Sequence, residues 1–561
     1  QKPQHNNPPP RRYDIVYGDV MLNFNYNIRR FDIAATLGWT GRYENMNNMR
    51  VSTNGGLVTE NWFDLNASRY TASSTLQRME LLKTGYMGTL SLGWDNYLFL
   101  ELTGRQERSS TLKDKSFFYP SANLSFLFSN AFRMPAWWNH GKLRLSYGIV
   151  GNAPETYAAN IIYEQGSDNG FTWNYVPSSW GNANIRPEKK YEYEIGLESK
   201  FLNNRLGFDV SYYNNRVKDQ ILSTPQPSSS GVKYVLMNVG EVANEGWDIS
   251  VSATPVLTKN FRWDLTANYG IYRNKVVKLA EGVPYLEISN IGGGGAKIQA
   301  VEGRPMGDIY VQMPQMNENG DYLVSDKGLY LNQTDLQRVG NINPDGVGGL
   351  FSSFSYKNIF LDFSIDFRIG GDVINEMYQY STASGLTPES LQYRDTEHGG
   401  LSYYYPGNNN ASGTPVQVDP SSGAGPNGEI IYHDGIILPG VVASTGEKNT
   451  RIIPAGYYYN QTYNWGTQSE QLTYRHSVFD NTYVKLRELT IGYQFPEKLT
   501  AKLGMTRLSV SIFGRNLFYF YKALKNYDAE SSVGTSWASQ AVVGGSTTAT
   551  RNFGVSLRAS F

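Results

Sequence analysis

Hydrophobic and polar residues alternate with a period of two through residues 360–372, FLDFSIDFRIGGD. Leu361, Phe363, Ile365, Phe367 and Ile369 fall on one face, and Asp362, Ser364, Asp366 and Arg368 on the other. Such a period marks a strand with one face against something apolar, either a protein core or lipid. The alternation returns as Leu98, Leu100 and Leu102; as Leu143, Leu145, Tyr147 and Ile149; and as Tyr191, Tyr193, Ile195 and Leu197. It returns again as Trp247, Ile249, Val251 and Ala253, as Phe261, Trp263, Leu265, Ala267 and Tyr269, and as Phe553, Val555, Leu557, Ala559 and Phe561. Each run approaches the roughly 9–11 residues with which a tilted strand crosses a bilayer. About 15 strands are predicted in all, with starts near residues 15, 31, 78, 97, 117, 142, 188, 206, 236, 261, 346, 360, 482, 507 and 551.

The joins between these strands alternate strictly in length. Short ones at Arg29-Arg30, Asp95-Asn96, Asn203-Asn204, 258–260 and Lys357-Asn358 carry residues suited to hairpins, and two somewhat longer ones lie near 131–141 and 496–506. Long ones cover 44–77, 106–116, 153–187, 214–235, 273–345, 374–481 and 521–550. Short turns at one end and long loops at the other are the ordinary asymmetry of an outer-membrane barrel, and a soluble sandwich has no reason to keep it. The predicted fold is therefore all-β, a transmembrane antiparallel β-barrel with long extracellular loops over 15–561, preceded by a disordered or linker segment at 1–14. Because the first strand runs inward and the last also ends inside, the visible number is odd. Bacterial barrels normally close on an even number, so an odd number of further strands is expected upstream. The N-terminal stretch QKPQHNNPPPRR has no initiating Met and no signal-peptide pattern.

Composition narrows the choice between core and lipid. The chain has 561 residues, no cysteine, and 50 basic against 50 acidic side chains, so no basic excess is available for nucleic acid. No stretch approaches the 18 or more apolar residues of a spanning helix, whereas barrel strands turn only half their residues to lipid and read as hydrophilic on average.

Particular phrases go beyond the pattern. The blocks NANIRPEKKYEYEIGLESKFLNNRLGFDVSYYNNRVKDQIL (182–222), MNVGEVANEGWDISVSATPV (237–256), VGNINPDGVGGLFSSFSYKNIFLDFSIDFRIGGDVIN (339–375) and NTYVKLRELTIGYQFPEKL (481–499) occur in this order. With SIFGRNLFYF (511–520) after them, they resemble the SusC/RagA-type TonB-dependent outer-membrane transporters of Bacteroidota. The resemblance implies a barrel of 22 strands around a plug, with the plug and TonB box upstream of the matched region. It implies import of oligosaccharides or peptides, a SusD-like surface lipoprotein as lid, and energy from TonB-ExbB-ExbD. It also implies a dimer of transporter–lipoprotein pairs, set among lipid and lipopolysaccharide in the outer membrane. The terminal Phe561 resembles the closing-strand signal of such barrels. The loop NENGDYLVSDKGLYLNQTD (317–335) departs from the family's acidic, EF-hand-like stretch. Asn317, Asn319 and Asp321 are present, but Lys327 and Gly328 stand where further acidic ligands are expected. Calcium wants six to eight oxygens, so this segment is expected to be a Gly/Asn turn, and neither metal nor cofactor is assigned.

No catalytic constellation emerges, and the chain is not expected to be an enzyme. The five histidines (His5, His140, His398, His433 and His476) lack metal-site spacing, and His433-Asp434 and Asp395-Glu397-His398 lack any nucleophile elbow. Glu192 and Glu194 share one strand face and are expected to line a polar lumen rather than form a glycosidase pair. Loop aromatics are the better binding candidates: Trp173, Tyr175 and Trp180; Tyr403, Tyr404 and Tyr405; Tyr457, Tyr458 and Tyr459 with Trp465. Their apolar faces and polar edges suit sugar rings or peptide side chains, and equally suit an interfacial girdle or loop packing. Two other functions remain open on sequence: a passive porin or adhesive barrel, and a secreted soluble β-rich glycan-binding protein.

Overall fold

The computed structural model describes residues 11–112, 116–168, 171–411, 413–464, 473–545 and 548–561. The chain forms two compact units, one of residues 1–247 with 277–283 and the other of 248–276 with 284–561. Among the described residues no helix is long and apolar enough to cross a membrane.

The first unit is an antiparallel meander. Strands β1 (Arg11–Ile28), β2 (Phe31–Leu57), β3 (Ser68–Trp94), β4 (Leu98–Ser109), β5 (Ser116–Phe126), β6 (Trp138–Asn152), β7 (Glu188–Phe201) and β8 (Leu206–Pro225) each pair with the next in the chain. The tight joins have the backbone that two-residue hairpins require: φ is positive at both Asp95 and Asn96, and at Arg29. A band of rings follows the ends beside these joins. Phe31 stacks on Trp94 at 6.3 Å, Trp94 meets Tyr97 at 5.5 Å, Tyr97 meets Phe126 at 6.2 Å, and Phe201 joins Trp137, Trp138 and Phe208 at 5.4–5.8 Å. Aromatic rows of this kind mark the interfacial zone of membrane barrels.

Strand β9 (Tyr234–Leu257) starts in the first unit and finishes in the second. The second unit continues with β10 (Phe261–Lys278), β11 (Gly346–Tyr356), β12 (Ile359–Ile369), β13 (Tyr483–Gln494), β14 (Arg507–Lys522) and β15 (Asn552–Ser560), again paired antiparallel in chain order. The register carries the predicted apolar face across strands. Trp263 lies opposite Phe354, which lies opposite Leu361, and Tyr269 lies opposite Gly348, which lies opposite Phe367. Rings fill this face: Trp263 stacks on Phe354 at 5.4 Å, Phe354 on Phe363 at 6.2 Å, and Tyr269 on Phe367 at 5.9 Å. Gly348 makes the last pair feasible, since a Cβ there would sit 2.5 Å from the Phe367 ring.

All 15 predicted strands are present, and their lengths differ where the chain leaves the alternating zone. The expected loop 44–77 shrinks to residues 58–67, because β2 and β3 run for 27 residues each and β3 begins at Ser68 rather than near 78. Likewise 106–116 reduces to 110–115 and 214–235 to 226–233, and β1 begins at Arg11. The physical reason lies in Asn45, Asn47, Asn48, Arg50, Ser52 and, opposite them, Gln77, Thr75 and Ser73. With polar residues on both faces the period-two signal fades, while the backbone ladder continues unchanged.

The long joins of the second unit carry their own core. A four-stranded sheet (Tyr285–Ile291, Ala296–Val301, Asp308–Val311, Gln337–Asn341) and a three-stranded one (Asp372–Asn375, Val478–Asp480, Val542–Val543) bring distant segments together. Ile298, Ile309, Val311, Ile374, Tyr474 and Val542 are buried in one cluster there. Residues 317–321 form a turn in which Asn317 Oδ1 accepts from the amides of Asn319 and Asp321, both at 2.9 Å.

The two faces of β12 give a direct test. Arginine on the lipid face of a barrel costs about 2–4 kcal/mol near the midplane. Ile365→Arg is therefore expected to lower the yield of folded, heat-modifiable protein in membranes, while Ser364→Arg on the polar face leaves it near wild type.

Candidate functional site

The charge on the polar face of β12–β14 centres on a bulge. Against β12 the register of β13 slips between Ser364 and Ile365, and against β14 it slips between Leu486 and Glu488, leaving Arg487 as the extra residue. Asn516 on β14 sits at positive φ beside the slip. A bulge re-aims side chains, and here it brings the guanidinium of Arg487 onto Asp366 (Nε to Oδ1, 3.1 Å), onto Asn516 Oδ1 at 3.0 Å and onto Glu530 at 2.5 and 2.9 Å. Glu530 belongs to the join after β14, so this contact clamps that loop to the strands. Lys485, only 2% exposed, donates to the same carboxylate at 2.5 Å and lies over the Tyr519 ring at 4.7 Å. Tyr519 in turn donates to Asp528 at 2.5 Å. Burial alone would raise the Glu530 carboxyl; hydrogen bonds from Arg487 and Lys485 outweigh it and hold the group below its ordinary value.

The first unit, taken by itself, also carries polar pairs on one strand face. Arg144 binds Asp209 at 2.5 and 3.0 Å and Ser211 at 3.1 Å, and Arg105 reaches Glu107 at 3.0 Å and Thr40 at 3.1 Å. Glu192 and Glu194 lie on this strand face, with Lys190 beside Glu192.

The aromatic candidates divide. Trp173 and Tyr175 are exposed on a small hairpin of Glu164–Asp168 with Phe171–Tyr175, and Trp180 meets Tyr163 edge-on at 6.0 Å. The rings of Tyr403, Tyr405 and Tyr459 are taken up in loop packing. Tyr403 is 1% exposed, stacks on Tyr432 at 5.5 Å, meets Tyr405 edge-on, and donates to Asp434 at 3.1 Å. The join after β12 holds two short helices, α1 (Glu376–Ala383) and α2 (Ala455–Tyr463), and Tyr459 lies 4% exposed on α2, where its hydroxyl donates to the Glu389 carbonyl at 2.8 Å. Tyr404, Tyr457 and Tyr458 are half-buried, and burial pushes Tyr458 up to about 12. Trp465 lies outside the described residues. The histidine clusters likewise fix loops: His433 Nδ1 shares a hydrogen bond with Ser402 at 2.8 Å, and Asp395 holds both the ring and the amide of His398.

The sequence context of His476 gives no signal of a special environment. Arg475 Nε donates to its Nε2 at 2.8 Å, and its ring stacks on Tyr463 at 5.8 Å. Burial, with Arg475 adding to it, pushes the imidazole down to about 4.

A family model for the β-barrel of TonB-dependent receptor-like proteins matches residues 2–302. The chain belongs to that family. Among curated relatives, TonB-dependent receptor P3 of Formosa agariphila is 23% identical over 80% of the chain and 42% of its own length. TonB-dependent receptor P26 of the same organism is 30% identical over 52% of the chain and 32% of its own length. SusC of Bacteroides thetaiotaomicron is 25% identical over 63% of the chain and 37% of its own length. The chain thus spans between about a third and two fifths of these relatives. The RagAB peptide transporter structure shares the fold, with a TM-score of 0.69 and 18% identity over 98% of this chain and 56% of that one.

Two measurements follow from this geometry. Glu530→Gln is expected to loosen the clamp by about 1–2 kcal/mol, the value of charge-assisted bonds discounted for partial exposure. Limited proteolysis of 523–551 is then faster, while heat-modifiable migration of the barrel stays unchanged. For His476 the unfolded imidazole titrates near 6.5 and the folded one near 4. Between these values the unfolded segment takes up a proton that the folded one refuses, so local stability is complete above about 6.5 and falls toward pH 4. The protection factors of the α2 amides, with exchange rates taken relative to the intrinsic rate at each pH, should fall as pH drops through that window, and His476→Gln should remove the dependence.

Proposed function

We propose that this chain is barrel wall and external loops of an outer-membrane TonB-dependent importer of oligosaccharides or peptides. It works with a SusD-like lid lipoprotein and is energised by TonB-ExbB-ExbD through an upstream plug. The observation that carries the reading is the clamp at Arg487, Glu530 and Lys485, in a chain of this family with an apolar face of stacked rings on the other side of the same strands. Loops pinned to the polar side and held by their own core form a firm surface over that face, as a lid or cargo requires; a passive pore needs none. Domain organisation follows as a C-terminal barrel portion over 15–561, its long loops on the cell surface, in a parent of 22 strands. Dimers of transporter–lipoprotein pairs, embedded in lipid and lipopolysaccharide, complete the proposed assembly. Cargo or lid contacts are assigned to the aromatics that are not fully buried: Trp173, Tyr175, Trp180, Tyr404, Tyr457 and Tyr458.

The test is isolation of the native protein from outer membranes, with identification of co-purifying chains and uptake assays in cells with and without TonB. A stoichiometric surface lipoprotein and TonB-dependent uptake are expected. Uptake that persists without TonB would return the passive-porin alternative, and release of the protein without detergent would return the soluble one.

A further inference from the structure

Three short joins of the second unit lie side by side and carry a row of lysines. The Lys357 amide donates to the Asn260 carbonyl at 2.8 Å, and Asn358 exchanges bonds with Gln494 at 2.7 and 2.8 Å. The joins so linked contain Lys259, Lys357, Lys498 and Lys502, all exposed, against the single acid Glu497. The chain as a whole is neutral; residues 370–482, in a long join, hold more than two Asp or Glu for each Lys or Arg. Basic charge is therefore concentrated on these three short joins and acidic charge on that long one.

The last of these short joins has a second feature. A helical turn, Glu497–Thr500, continues into a 3-10 turn, Ala501–Leu503. Spacing of four residues sets Lys498 beside Lys502 and Leu499 beside Leu503, and the two leucines are 52% and 63% exposed. Tyr493 and Phe495, edge-on at 5.3 Å, mark the strand end just before it. Lys357 lies 5.5 Å from the Tyr356 ring. Exposed leucines, flanking lysines and a ring pair at a strand end are the composition of a segment lying in a bilayer interface, apolar groups at the acyl boundary and cations at the phosphates.

We propose that this rim, Lys357, Lys498 and Lys502 with Leu499 and Leu503, is a binding surface for the phosphate headgroups of anionic lipids in the leaflet on the short-join side. The inference rests on the outer-membrane reading above. Complementary charge selects the occupant: a neutral headgroup offers the lysines no net partner, and a free phosphate offers the leucines nothing.

The experiment uses full-length protein purified in detergent, titrated with short-chain phosphatidylglycerol or phosphatidylcholine, with bound lipids counted by native mass spectrometry. Each lysine near an anionic surface contributes about a fivefold factor, so wild type is expected to prefer phosphatidylglycerol by at least about tenfold. The triple variant Lys357→Gln, Lys498→Gln, Lys502→Gln is expected to lose that preference while keeping heat-modifiable migration, and the corresponding triple Arg variant to retain it. Equal binding of the two lipids by wild type, an unchanged preference in the Gln variant, or loss of the preference on adding inorganic phosphate at the lipid concentration overturns the proposal. Wild-type protein that needs no detergent and shows no heat-modifiable migration overturns its premise instead, so the two failures are told apart.

Discussion

A strand crossing hydrocarbon has no water to satisfy its amides, so every N–H and C=O must find a partner on the strand alongside. The unbroken antiparallel registers, such as Arg11↔Asn48 through to Ile28↔Phe31 and Gly346↔Ile369 through to Tyr356↔Ile359, meet that demand within each unit. Once the ladder is fixed, side chains have only two directions available. Everything chemical about the chain is then a question of which residues occupy which face.

On one face rings stack on one another, and polar atoms among them are satisfied locally, as where Trp263 Nε1 donates to the buried Ser352 hydroxyl at 2.9 Å. On the other, charges are satisfied by one another. Arg487, Lys485, Asp366 and Glu530 form a mixed-sign set in which each carboxylate meets a cation. Removing one member leaves others partly buried without a counter-charge, which is costlier than the set is stabilising. A strict ladder cannot bring Arg487 there, because the alternation has to slip by one residue first. Local loss of register is thus what joins loop to strand.

The strands were legible because lipid and polar face impose opposite demands at every step, and the sequence has to alternate to meet both. That explains why starts at 31, 188, 206, 261, 346 and 507 agree with the structure to the residue. The upper halves of β2 and β3 were not legible, since Asn and Ser on both faces carry no period. The slip at Arg487 did leave a trace: Val484 and Leu486 are apolar at even positions and Leu489 and Ile491 at odd ones. Its partner Glu530 left none, because a contact across 43 residues has no local spacing. Tyrosine clusters were legible as clusters but not as buried or exposed, since Tyr packs in a core as readily as on a surface.

The division of labour between ladder and loops has a consequence for how such a protein diversifies. Tyr403, Tyr405 and Ile452 form one loop cluster, and Ala455, Tyr459 and Tyr463 another. Neither draws on the strands' apolar face, and α2 is held through Tyr459 to the Glu389 and Gln392 carbonyls. Residues on the surface of these clusters can therefore change without touching a ladder bond, whereas a change at Arg487 or Glu530 moves the whole loop relative to the strands. Recognition is free to vary where the loops pack on themselves, and constrained where they are clamped to the wall.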